Sequence, residues 1–125
     1  MILIDTDIII DFTTGYEPAG DFLKTCWGDA FVSSFTVFEL YAGCERKTTI
    51  AKMNKLLKNF NIIHCNEIIS KQALDLYIYH HLKDGIDIID SVIAATTMHN
   101  DFHLYTKNIK HFKNLKGLKV TRPYK

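Results

Sequence analysis

The sequence has no uninterrupted apolar run long enough to span a bilayer, so no membrane helix is expected. It also lacks a basic stretch ahead of its first apolar residues. The opening MILIDTDIII instead carries Asp5 and Asp7 inside the apolar stretch, which argues against a secretory leader. Cysteine is scarce: Cys26, Cys44 and Cys65 are odd in number and form no C-x-x-C pair. A disulfide framework or a zinc knuckle is therefore not expected. Ordinary buried or half-buried thiols in a reducing compartment, the cytoplasm, fit better. Repeats, low-complexity tracts and Pro/Gly linkers are missing, so the 125 residues read as one domain, 1–125. His64, His80, His81, His99 and His103 show no zinc-ligand spacing.

Acid is absent from one whole region. Between Phe102 and Lys125 there is no Asp or Glu, while Lys107, Lys110, Lys113, Lys116, Lys119, Arg122 and Lys125 all fall there. The net charge of +1 hides this split. The asymmetry suits either a polyanionic partner or a solvated tail.

What is present is enough apolar content (47%) for a real core. Short apolar runs alternate with helical patterns. Met1–Asp5, Ala30–Ser33, Asn61–Cys65 and Leu104–Thr106 read as strands, with Leu118–Thr121 as a last edge strand. Pro18–Cys26, Thr36–Gly43, Thr49–Phe60, Ile68–Leu82 and Asp87–Met98 read as helices, the last as the most buried. Such alternation predicts an α/β fold with a mostly parallel sheet. In that class the functional crevice lies outside the carboxyl ends of the strands. Asp5 and the segment Thr106–Asn108 both follow predicted strands.

Four acids stand out. Asp5 follows an apolar strand, where it suits either a helix cap or a site at the strand tip. Glu39 lies in the otherwise apolar stretch Phe35–Ala42, where a buried carboxylate would need a partner or a metal, and an exposed one would simply face water. Asp87 and Asp90 are three apart at the start of a predicted helix, on one face. They suit the helix dipole or a hard cation. Mg²⁺ and Mn²⁺ prefer carboxylate and water oxygens. Carboxylates from separate elements are the minimum equipment for metal-assisted phosphodiester hydrolysis. The aromatics Phe35, Phe38, Tyr41, Tyr77, Tyr79 and Phe102 are expected mainly in the core.

At these residues the sequence resembles the PIN-domain ribonucleases, most closely the VapC-like toxins of toxin–antitoxin pairs. The resemblance is carried by four blocks in order. They are Ile2-Leu3-Ile4-Asp5-Thr6-Asp7, Ser33 to Gly43 (SSFTVFELYAG), Asp90-Ser91-Val92-Ile93-Ala94-Ala95-Thr96, and Leu104 to Phe112 (LYTKNIKHF). It implies a three-layer α/β/α sandwich and an Mg²⁺- or Mn²⁺-dependent endoribonuclease. Asp5, Glu39 and Asp90 would be the catalytic carboxylates, with Asp5 and Asp90 on the metal. Thr6, Thr106, Asn108 and His111 would line the site. RNA would be the substrate, an antitoxin and a second copy of the chain the partners. Many relatives carry a fourth acid where this chain has Asn108 or His111. Asp87 is the candidate to supply it, and His111 could instead serve the leaving group. The alternatives are a decayed domain that only binds RNA or protein, and a housekeeping RNA-processing nuclease.

Overall fold

In the computed structural model, which describes Met1–Lys125, the first strand, β1 (Ile2–Ile4), is only three residues long. Its alternation sends Leu3 and Ile4, both fully buried, to opposite sides of the sheet. Two-sided burial is what an all-parallel sheet requires, and every pairing here is parallel. The other strands are β2 (Phe31–Ser33), β3 (Asn61–Ile63), β4 (His103–Tyr105) and β5 (Lys119–Thr121), in the spatial order β3-β2-β1-β4-β5. Leu3 pairs with Phe31 on one side of β1 and with Leu104 on the other. The short central strand β1 therefore fixes the register of both halves.

Seven helices cover the two faces, giving the three layers expected from the resemblance. The helices α1 (Thr6–Thr13), α2 (Glu17–Lys24), α3 (Ser34–Ala42) and α4 (Lys47–Leu57) pack on one face. There Ile8, Ile9, Leu23, Leu40 and Leu57 meet Ile4 and Val32. On the other face lie α5 (Glu67–Asp84), α6 (Ile88–His99) and α7 (Ile109–Phe112). Ile93, Ala94 and Phe112 close over Leu3 and Leu104, while Ile69 and Ala73 of α5 pack on Val92 and Ala95. No helix is long and apolar enough to cross a membrane.

Two helices lie outside the sequence reading. Helix α1 contains Ile8-Ile9-Ile10, a β-branched run that reads as extended chain. The Asp5 cap tips the balance: its Oδ1 accepts from the Thr6 amide at 2.8 Å. Helix α7 is too short to show a period. Helix α6 is the most buried, with eight consecutive buried residues from Asp90 to Thr97. Of the six aromatics expected mainly in the core, Phe35, Tyr41 and Phe102 pack against it, and the others are a correction. None is fully buried, and Phe38 and Tyr79 are largely exposed.

Candidate acidic site

Parallel strands deliver their carboxyl ends to one edge of the sheet, and β1 and β4 are neighbours there. Asp5 follows β1 and Thr106 follows β4. The Thr106 hydroxyl donates to Asp5 Oδ2 at 2.7 Å, linking residues 101 positions apart. Asp5 is 7% exposed and Thr106 not at all. Thr106 Oγ1 also accepts from the Asn108 amide at 3.0 Å, which turns the chain from β4 toward α7.

Asp90 comes from the other side of the cleft. It is the third residue of α6 and forms a capping box with Asp87. Asp87 Oδ1 accepts from the Asp90 amide at 2.7 Å, and Asp90 Oδ2 accepts from the Asp87 amide at 3.3 Å. Asp90 Oδ2 also lies 2.8 Å from His111 Nδ1, a bond that places the ring proton on that nitrogen. The Asn108 side-chain amide lies 2.6 Å from the same nitrogen. His111 therefore braces Asp90 as Thr106 braces Asp5. Behind the ring, Gly85 ends α5 with φ +72, and a Cβ there would sit 3.9 Å from His111 Nε2.

Glu39 reaches the cleft from α3. The Thr6 hydroxyl donates to Glu39 Oε1 at 2.6 Å and lies 2.9 Å from the Thr36 hydroxyl. Residue 39 itself is exposed, which decides between the two readings of its apolar neighbourhood in favour of the wet face. Helix α3 also leaves Phe38 outside, so apolar sequence around Glu39 does not mean an apolar environment.

Asp5, Thr6, Glu39, Asp87, Asp90 and Asn108 all line one cleft of about 210 Å³, joined by Asp7, Ile10 and Ile89. His111 and Thr106 stand just behind, bonded to its acids. Sequence reasoning missed Asp7 and Thr36. Thr36 precedes Glu39 by one helical turn, a spacing that could have revealed it.

The electrostatics are unfavourable for free carboxylates. Burial, and then the neighbouring Asp7, push the Asp5 carboxyl up to about 7 despite the bonds from Thr106 and Thr6. Burial, and then Asp87, raise Asp90, with His111 opposing. Burial also raises Asp7, against hydrogen bonds and charge from Lys107. Just outside, Asp11 behaves oppositely. Burial would raise it, but hydrogen bonds from Lys107 and Tyr124 prevail and hold it below the usual carboxylate range. Lys107 Nζ is 2.7 Å from Asp11 Oδ2, so this lysine is already paired.

No three acid or imidazole side chains close on a common point. The donor set is nonetheless suited to a hard cation, because Mg²⁺ keeps several waters and takes only one or two protein carboxylates. A cleft in which Asp5, Asp7 and Asp90 are costly to ionise matches that chemistry.

Fold and cleft together define an α/β protein with an acidic site at the carboxyl edge of a parallel sheet. More specifically, the chain belongs to the PIN domain family, whose model matches residues 2–118. It is 31% identical to Ribonuclease VapC10 of Mycobacterium tuberculosis, over 95% of this chain and 91% of that protein. It is 33% identical to Ribonuclease VapC1 of Methanocaldococcus jannaschii, over 95% and 85%. Among solved structures, a toxin–antitoxin complex from Klebsiella pneumoniae superposes with a TM-score of 0.86 at 26% identity, covering 100% of this chain and 99% of the matched one.

Proposed function

We propose that the chain, working as one domain over residues 1–125, is a divalent-metal-dependent endoribonuclease and the toxin of a toxin–antitoxin pair. The observation that carries this reading is the pair Asp5 and Asp90. They come from separate elements, are both nearly buried, and line one cleft in which ionisation is disfavoured. Perturbed carboxylates gathered in a cleft mark a candidate functional site. The relatives named ribonuclease supply the reaction class, and the Klebsiella complex supplies the kind of partner. An antitoxin and a second copy of the chain are the expected partners. The three free thiols suit the cytoplasm, where RNA is at hand.

Asp5 and Asp90 would hold Mg²⁺ or Mn²⁺, which supplies charge neutralisation at the scissile phosphate when bound. The chain's own residues do the rest. Thr106 fixes the Asp5 carboxylate, and His111 fixes that of Asp90, so neither must reorganise during reaction. Glu39 is aimed by Thr6 and is accessible from solvent, so it can take a proton from an attacking water. His111 has Nδ1 committed to Asp90, which favours a bracing role over a role at the leaving group. Asp87 caps α6 at the cleft mouth. The exposed Lys110, Lys113 and Lys116 would contribute salt-dependent attraction for RNA.

The test is cleavage of total RNA by the purified protein with Mn²⁺ or Mg²⁺ and with a chelator. Cleavage that requires the metal is expected. Metal-independent cleavage would overturn the mechanism. A folded protein that binds RNA without cutting it would favour the decayed-domain alternative.

A further inference from the structure

Resting on the metal-dependent reading above, we infer that Asp7, rather than Asp87, is the further acid of the cleft that faces the cation beside Asp5 and Asp90. Asp7 stands in the first turn of α1, two residues beyond Asp5, and lines the same cleft. Its Oδ2 accepts from the Lys107 amide at 3.0 Å and lies 3.3 Å from Thr106 Oγ1. It is thus tied to the segment after β4. Its other oxygen, Oδ1, is buried and has no hydrogen-bond partner. It is the sole side-chain polar atom of the molecule in that condition. Leaving a charged acceptor bare and dry is costly, and native structures rarely do so without reason.

The protein supplies the missing positive charge only in part and at a distance, through Lys107. The Thr106 hydroxyl has one proton to give, and Asp5 Oδ2, at 2.7 Å, is much the closer claimant. The nearest lysine in sequence, Lys107, sends its ammonium to Asp11 instead. Asp5 and Asp7 therefore face each other across a shared donor with no cationic side chain bonded to either. A divalent cation in the cleft would meet the bare oxygen and offset both charges. Asp87 needs no such explanation. It is exposed, and its Oδ1 is spent on the cap of α6.

The experiment measures Mn²⁺ binding by isothermal titration calorimetry on the full chain, comparing wild type, Asp7→Asn and Asp87→Asn. Circular dichroism checks folding. Asp7→Asn keeps an acceptor for the Lys107 amide while removing the charge. Asp87→Asn keeps a good cap and removes a charge at the cleft mouth. Asp7→Asn is expected to weaken Mn²⁺ binding by about tenfold or more, the size typical of losing a supporting group at a metal site. Asp87→Asn is expected to change it far less. If Asp7→Asn does not fold, Asp7→Ser gives the same comparison. Unchanged affinity in the Asp7 variant, or an equal or larger loss in Asp87→Asn, overturns the inference alone. A wild-type protein that binds no Mn²⁺ overturns the metal reading and this inference with it.

Discussion

Asp5→Asn is expected to make the metal-free protein more stable at pH 8 while removing its activity. Asp5 is 7% exposed, and burial and Asp7 lift its carboxyl from 3.8 to about 7. The folded chain therefore holds a proton on Asp5 between these values that the unfolded chain has released. Stability from this group is fully present below pH 3.8 and is lost as pH rises toward 7. Each unit of pH in that window removes about 1.4 kcal/mol, so the full loss is about 4 kcal/mol, of which about 3 kcal/mol falls between pH 5 and pH 8. Asparagine cannot ionise. Its oxygen can still accept from the Thr6 amide, and its NH₂ group can donate to Thr106 Oγ1, freeing that hydroxyl for Asp7. Urea unfolding in the presence of a chelator, at pH 5, 6, 7 and 8, reads the difference between variant and wild type. Asp5→Asn should gain on wild type by about 3 kcal/mol from pH 5 to pH 8. A difference that does not change with pH, or a variant less stable than wild type at pH 8, would refute the reasoning.

Thr106→Val keeps the shape of a fully buried side chain but removes the donor to Asp5 and the acceptor for the Asn108 amide. It is expected to cost about 1–3 kcal/mol in chemical denaturation and to lower RNA cleavage. Asp87→Ala removes the α6 cap and should cost about 1 kcal/mol, whereas Asp87→Asn should fall within a few tenths of wild type in the same measurement. Equal losses in the two Asp87 variants would show that its charge, not its cap, matters to stability.

The sheet and its helices were legible because their signals are local. The apolar run before Asp5 and the unbroken Ser91–Ala95 stretch can hardly be anything but buried elements. The site was legible for a different reason. In a parallel sheet the carboxyl ends of β1 and β4 share an edge, so Asp5 and Thr106 are brought together by topology rather than by sequence proximity. What sequence could not show was how each acid is held. The bracing of Asp90 by His111 joins α6 to α7 across 21 positions, and no periodicity reports it. The role of Asp7 depends on one unpaired oxygen, which only side-chain geometry exposes. For Glu39 the apolar neighbours leave burial and exposure equally open, and only the structure places it at the surface. Helix α3 presents apolar side chains on its outer face too. Likewise α5 exposes Leu74, Ile78 and Leu82 while burying Ile69 and Ala73.

The most direct test of the central claim, that the cleft around Asp5 and Asp90 cuts RNA, is a cleavage assay in Mn²⁺ on wild type, Asp5→Asn and Asp90→Asn. All three proteins are first shown to be folded by circular dichroism. Wild type is expected to cleave, and both variants are expected to lose cleavage at every metal concentration tried. Undiminished cleavage by either folded variant would contradict the account.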